Sequence, residues 1–287
     1  MNGIIIIDKA PDWTSNDVVA KLRGILHEKR VGHGGTLDPM ATGVLPVFVG
    51  RATRAADFCA SAQKEYIAGV RFGVVTDTQD TTGNVLEERE ARVTETDLER
   101  AFAPFRGDIM QVPPMYSAVK IGGRKLYELA RRGQEVERKP RPVTIFALEA
   151  AKTPEGADGD AFIRVVCSKG TYIRTLVHDI GQYLGCGAAM SYLRRIRAGA
   201  FRVEGAHTIE DVAASPEKYL MPTDTVFSEY PEIAVAGFDE KKCRNGADIK
   251  TKCPDGLYRV YGESGEFLLL GRAEKGRLFT VKSFFEV

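Results

Sequence analysis

No run of branched aliphatic residues in this 287-residue chain is longer than four, Ile4 to Ile7. A membrane-crossing helix needs roughly 20 consecutive apolar residues, so the core must be assembled from many short elements that the fold brings together. Apolar residues make up 44% and charged residues 28%, the balance of a globular chain, and at roughly 150 residues per domain the length argues for one large and one small domain. No basic, apolar and small-residue succession of a secretory signal follows Met1, which makes the cytoplasm the expected compartment, with no membrane partner. Cys59, Cys167, Cys186, Cys243 and Cys253 are thinly spread and contain no Cys-x-x-Cys pair, and the four histidines lack helical metal spacing. Reduced thiols are expected, with neither a disulfide framework nor a metal site.

Ile4 to Ile7 reads as a buried strand. Thr14 or Ser15 then caps a helix whose apolar face is Val18, Leu22, Ile25 and Leu26. The glycines between Gly32 and Gly43 form a loop ahead of a second buried strand, Val44 to Val49. Further strands are expected near 65–72, 109, 143–150, 162–167, 192–196 and 201–203, with helices near 96–105 and 172–184. Pro113-Pro114, Gly122-Gly123, Pro140 and Pro142 punctuate an excursion over about 113–143 that is too long to be a simple connection. A boundary lies between Pro222 and Glu232, and short turn-separated strands beyond it describe a small all-β unit. Its clearest local turn signal is Asn245-Gly246.

The net charge of +1 conceals an uneven distribution. Eight basic residues stand against three acidic ones within 113–143, and seven against one within 164–202. These segments carry surpluses of five and six, balanced by a deficit of ten elsewhere. Charge runs are often only solvated faces laced with ion pairs. A basic stripe on an otherwise acidic chain is also what a phosphate-tracking surface looks like.

The densest candidate for chemistry is the stretch from Gly32 to Gly43. It lacks the Gly-Lys-Ser/Thr ending of a phosphate loop, and Leu37 stands where a dinucleotide fingerprint has its third glycine. Asp38 precedes Pro39, which biases it away from helical backbone and so restricts where its carboxylate points. An aspartate in such a place also serves as a turn former. No Gly-x-Ser-x-Gly elbow is present.

The string Gly32 to Leu45, with its Leu37-Asp38-Pro39-Met40-Ala41-Thr42-Gly43 core, resembles the signature of the TruB family, the bacterial tRNA pseudouridine synthases that act on uridine 55 of the T loop. Lys64-Glu65-Tyr66, Thr76 to Asp80 with Gly83, Val112 to Lys120, Cys167 to Arg174 and Tyr192 to Arg195 resemble family motifs in the family's order. Lys9 lies in a stretch resembling Asp-Lys-Pro-x-Gly-x-Thr-Ser, with Ala10 and Asp12 in place of the Pro and Gly. The departure bears on the loop's geometry.

The resemblance implies an α+β fold, namely the pseudouridine synthase fold with a mixed, mainly antiparallel central sheet, followed by a small C-terminal all-β PUA-like domain. The catalytic domain would span 1–225, with an RNA-clamping insertion at about 113–143, and the PUA-like RNA-binding domain 230–287. The implied reaction is isomerisation of uridine to pseudouridine by base flipping, with no cofactor and Asp38 as the catalytic carboxylate. Substrate contacts are implied at His33, Tyr66, Tyr172 and Leu193, and supporting roles at Arg174, Asp80 and Lys9. Lys120, Arg124, Lys125, Arg131, Arg132 and Arg141 are the clamp candidates. The expected partner is the T arm and T loop of tRNA, bound by a monomer with no obligatory protein partner. Two alternatives share much of this pattern: a guide-RNA-dependent pseudouridine synthase, and an RNA-binding folding helper that acts without catalysis.

Overall fold

The computed structural model describes residues 1–285. Two compact units emerge from it, one made of Met1–Pro39, Gly43–Ala60 and the chain from Ala198 onward, the other of Met40–Thr42 and Ser61–Arg197. Among the described residues no helix is long and apolar enough to cross a membrane.

In the first unit, β1 (Gly3–Lys9) pairs antiparallel with β3 (Thr42–Val49), in the register Ile7 to Leu45 and Lys9 to Gly43. Ile4, Ile5, Ile6 and Ile7 are all at most 3% exposed, so the strand is covered on both faces, and each such side chain contributes roughly 1.5–3 kcal/mol of burial. Helix α1 (Ser15–Leu26) follows and buries Val18, Val19, Leu22 and Leu26. Thr14 is its N-cap, with a reciprocal bond pair to Asp17, which settles the Thr14-or-Ser15 ambiguity and leaves the Ser15 hydroxyl available for other work. Strand β2 (Val31–His33) pairs with Val47 to Val49 of β3. Gly32 and His33 therefore belong to a strand rather than to the glycine loop expected from composition, because β3 offers them a backbone partner that the local sequence does not reveal.

Ala10 to Trp13 link β1 to α1. Asp12 adopts the left-handed conformation, φ 65°. Asp and Asn tolerate that region better than other side-chain-bearing residues, and here the aspartate, standing where the resembling motif has glycine, adopts a conformation that glycine takes without cost.

The second unit is built on strands β4 (Lys64–Phe72), β5 (Gly107–Gln111), β6 (Arg141–Ala150), β7 (Ala161–Cys167) and β8 (Ala188–Ala198), in the spatial order β8, β4, β7, β6, β5. Helix α2 (Glu95–Phe102), capped by Thr94, and helix α3 (Ile173–Tyr183) complete the frame. Of the two strands expected near 192–196 and 201–203, the first is longer than expected, as β8 begins at Ala188, and the second forms as the short separate piece Phe201–Arg202. The excursion between β5 and β6 has its own structure: a ribbon of Lys120–Ile121 against Arg124–Lys125 and a one-turn helix Leu126–Ala130. Leu126 and Leu129 are buried there, and β6 begins at Arg141, two residues before the expected end of the excursion.

The rest of the first unit carries a five-stranded sheet. Strand β9 (Glu232–Ala234) runs parallel to β11 (Gly256–Tyr261), β12 (Phe267–Glu274) and β13 (Arg277–Ser283) continue it antiparallel, and β10 (Ile249–Lys250) closes the edge. Helix α4 (Gly237–Arg244) interrupts this expected all-β region. Asn245-Gly246 ends that helix instead of turning a hairpin. Gly246 is left-handed at φ 75°, its N–H donates to Cys243 O at 3.0 Å, and Ala247 N–H donates to Lys242 O at 2.9 Å, which is the Schellman arrangement. Phe227, Leu270 and Phe284 pack into one cluster with Ile4, Val44 and Phe48, so the N-terminal strands and the C-terminal sheet share a core within this unit.

Candidate active site

Asp38 is half-buried, and both of its neighbours in sequence are pinned. Ser15, 2% exposed at the start of α1, accepts from the Leu37 N–H at 2.9 Å and donates to the Leu37 carbonyl at 3.2 Å. On the other side, the Pro39 carbonyl accepts from Lys9 Nζ at 3.0 Å and from the Asp12 N–H at 3.0 Å. Lys9 is fully buried, and its ammonium also donates to Ala10 O at 2.8 Å and Trp13 O at 2.7 Å. Three carbonyls thus meet the three donors of a buried ammonium, the condition under which such a charge is tolerated. The carboxylate of Asp38 stands on a loop whose backbone is fastened before and after it. His33 is half-buried on β2, and its Nδ1 accepts from the Gly35 N–H at 3.3 Å.

The second unit holds the other sequence-derived candidates. Arg174, 5% exposed in the first turn of α3, donates through Nη1 to Thr78 O at 2.8 Å and through Nη2 to Tyr116 O at 2.9 Å. Its Nε lies 3.6 Å from Asp80 Oδ2. Asp80, itself buried, gathers its own loop: Oδ1 accepts from the Thr78 hydroxyl at 2.9 Å, the Thr82 N–H at 3.0 Å and the Thr82 hydroxyl at 2.5 Å. The guanidinium therefore links three separate segments of the second unit, and Asp80 acts as a turn organiser as well as its ionic partner. Tyr66 is buried on β4 opposite Val165, and Leu193 is buried on β8. Tyr172 is half-buried and caps α3 without a side-chain capping bond.

Next to Tyr66, Glu65 is clasped by Arg164 Nε at 2.6 Å and Arg197 Nε at 3.0 Å. Burial pushes its carboxyl up, but hydrogen bonds and charge from the two arginines outweigh that and hold it below the ordinary glutamate range. Burial pushes the Cys167 thiol up to about 11, so at neutral pH it is a thiol and not a nucleophilic thiolate. Thr42, at the end of the signature stretch, accepts from Arg194 Nη1 at 3.3 Å. Of the clamp candidates, Lys120, Arg124, Arg131, Arg132 and Arg141 are exposed. Lys125 and Arg131 each approach the ring of Tyr127, at 5.3 and 5.5 Å from its centroid.

Farther along α3, burial pushes the Asp179 carboxyl up to about 6. A carboxyl with a folded-state value above its unfolded value near 3.9 favours the fold below about pH 4 and loses that contribution as the pH rises through about 6. Asp179→Asn is accordingly expected to melt higher than the unsubstituted protein at pH 8 and level with it near pH 4, read by thermal melts across that window.

Sequence reasoning missed Ser15 as a holder of the Asp38 loop and Gln111 as a partner of Tyr172. Both are common polar residues whose partners lie far along the chain, and only the Thr14-Ser15 pair carried any local signal.

Residues 23–173 match the family model described as TruB family pseudouridylate synthase (N terminal domain), and residues 174–228 match the tRNA pseudouridylate synthase B C-terminal domain. The chain is 42% identical over 291 residues to tRNA pseudouridine synthase B of Clostridium kluyveri, covering 99% of this chain and 100% of that one. It is 49% identical over 238 residues to the protein of that name from Symbiobacterium thermophilum, covering 83% and 79%. Among solved structures it is similar to a chain of an H/ACA RNP bound to a substrate RNA containing 2′-deoxyuridine, with TM-score 0.74, 27% identity and coverage of 99% and 85%. A chain of a Cbf5-Nop10-Gar1 complex matches at TM-score 0.74 and 29% identity, again covering 99% and 85%.

Proposed function

The chain belongs to the TruB family of tRNA pseudouridine synthases, and we propose that it isomerises uridine 55 in the T loop of tRNA with Asp38 as the catalytic carboxylate. The observation that supports this most is the fastening of the loop around Asp38, through Ser15 on Leu37 and through Lys9 and Asp12 on Pro39. A carboxylate that must meet one ribose carbon works best on a backbone that does not reorganise during the reaction.

The reaction breaks the bond between N1 of uracil and C1′ of its ribose, turns the base, and joins C5 to C1′. The proton on C5 is lost and N1 is protonated, so the change is an isomerisation that needs no cofactor. Asp38 acts at C1′. Arg174 is the partner that the family resemblance assigns to that aspartate, and a guanidinium fork suits a carboxylate by charge-assisted hydrogen bonds. The base must first leave the stack, which costs a few kcal/mol, and stacking on Tyr66 returns about 1–3 kcal/mol. Tyr66 also stands to take part in proton removal at C5. Tyr172 and Leu193 line the pocket, Leu193 as an apolar wall against water, and His33 occupies the space that flipped bases leave in the T loop. Asp80 and Lys9 hold the surrounding backbone.

Residues 1–225 form the catalytic domain in this reading and 230–287 a PUA-like RNA-binding domain. The protein acts as a cytoplasmic monomer without an obligatory protein partner. Purified protein and unmodified tRNA, with no guide RNA, are expected to yield pseudouridine at position 55 by carbodiimide mapping or mass spectrometry. An unchanged T-loop uridine refutes the proposal, and conversion only after a guide RNA is added favours the guide-dependent alternative.

The excursion supplies phosphate contacts through Lys120, Arg124, Lys125, Arg131, Arg132 and Arg141. Each phosphate contact contributes a unit or a little less to the salt dependence of binding. The triple substitution Arg124→Ala, Arg131→Ala and Arg132→Ala is expected to lower the slope of log K against log salt by about 2–3, measured by filter binding. An unchanged slope removes these residues from the interface.

A further inference from the structure

Gln111 is the last residue of β5, immediately before the basic excursion, and is 2% exposed. Its side-chain amide closes a two-bond ring with the backbone of Tyr172: Nε2 donates to the Tyr172 carbonyl at 3.0 Å, and Oε1 accepts from the Tyr172 N–H at 2.8 Å. Tyr172 is the N-cap of α3 and has no side-chain capping bond of its own, so the glutamine takes over the task of fixing the helix entry. Two residues on, Arg174 donates to the carbonyl of Tyr116 inside the excursion at 2.9 Å. The short turn from Tyr172 to Arg174 is thus bonded at both ends to the point where the excursion leaves the sheet.

We propose that Gln111 is a positioning residue: its amide sets the backbone of Tyr172, and with it the start of α3 that carries Arg174, and makes their placement depend on the seating of the basic excursion. The proposal rests on the reading of Tyr172 and Arg174 as pocket residues. A planar amide can satisfy one backbone N–H and one backbone C=O together, and methionine of similar size satisfies neither, leaving two polar groups unpaired in a buried place. Glutamate at this position keeps the acceptor; its ionised form has no proton to offer the Tyr172 carbonyl, while its protonated form does.

The test compares Gln111→Met and Gln111→Glu with the unsubstituted enzyme in single-turnover pseudouridine formation, tRNA binding, thermal melting and amide hydrogen exchange. For Gln111→Met the rate constant is expected to fall roughly 10- to 100-fold, the scale on which small misplacements of catalytic groups act. Its tRNA Kd is expected to stay within about threefold, since phosphate contacts dominate affinity, and its melt to stay cooperative. The ratio of the Gln111→Glu rate to the wild-type rate is expected to rise about fivefold or more between pH 8 and pH 5.5 as the glutamate takes up a proton. Exchange in peptides covering 168–176 is expected to accelerate in Gln111→Met. A Gln111→Met enzyme of wild-type rate, a rate lost only in proportion to folded fraction or bound tRNA, or a Gln111→Glu ratio flat with pH overturns the proposal. The exchange measurement does not depend on turnover: faster exchange in a protein that leaves tRNA unmodified refutes the functional reading and retains the coupling, whereas unchanged exchange overturns the coupling itself.

Discussion

Asp38→Asn is expected to abolish pseudouridine formation, by at least about 10⁴-fold in single turnover, the scale of loss when an indispensable catalytic group is removed. The substitution is nearly isosteric, and the loop is fastened on either side of Asp38 through Leu37 and Pro39 backbone atoms. The loop is therefore expected to keep its course, so the lost charge and not a lost shape accounts for the effect. Binding of tRNA is expected within about threefold of wild type, because phosphate contacts carry most of the affinity. Gel-shift titration alongside mass-spectrometric detection of pseudouridine separates the two. Residual activity above about one-hundredth of wild type would show that another group does the chemistry, and a parallel loss of binding would show that Asp38 serves RNA recognition.

The second large effect is expected at Arg174. Arg174→Met withdraws a donor from Thr78 O and from Tyr116 O and leaves the buried Asp80 without the guanidinium 3.6 Å from its Oδ2. Removing one partner of a buried ion pair costs about 3–5 kcal/mol, because the remaining charge stays in a poorly solvated place. In a protein of this size that lowers the melting temperature by roughly 10 °C, and pseudouridine formation is expected to fall with the loss of support for Asp38. Arg174→Lys separates the two effects. Lysine keeps the charge but lacks the planar fork that reaches two carbonyls and a carboxylate at once. It is expected to recover part of the melting temperature and little of the single-turnover rate. An Arg174→Met protein that melts within about 2 °C of wild type would show that the three-segment junction contributes little to stability.

The elements that were legible from sequence are those with strong local causes. The apolar run at Ile4 to Ile7, the α1 periodicity and the cap at the start of that helix each select a conformation through neighbours a few residues away. Where the expectation departed from the structure, a partner outside the local window decided. Gly32 and His33 are strand residues because β3 pairs with them. Asn245-Gly246 suits a hairpin turn and a helix end equally well on local grounds, since both need a left-handed residue; the helix Gly237–Arg244 before it made the choice.

The candidate site divides in the same way. Sequence alone determined the chemical inventory: one aspartate ahead of a proline in a glycine-rich stretch, an arginine in a basic segment, and a surplus of positive charge confined to two parts of a nearly neutral chain. Motif order also sufficed to suggest the family. Tertiary structure decided which groups hold that inventory in place. Ser15 reaches Leu37 across 22 residues, Lys9 reaches Pro39 across 30, and Gln111 reaches Tyr172 across 61. Hydrogen bonds have a range of about 3 Å and strict direction, so a residue's polar partner depends on where the fold brings it and leaves almost no trace in its immediate neighbours. A carboxylate's chemistry is intrinsic to the side chain, whereas its aim is set by the contacts that fasten the backbone on either side of it.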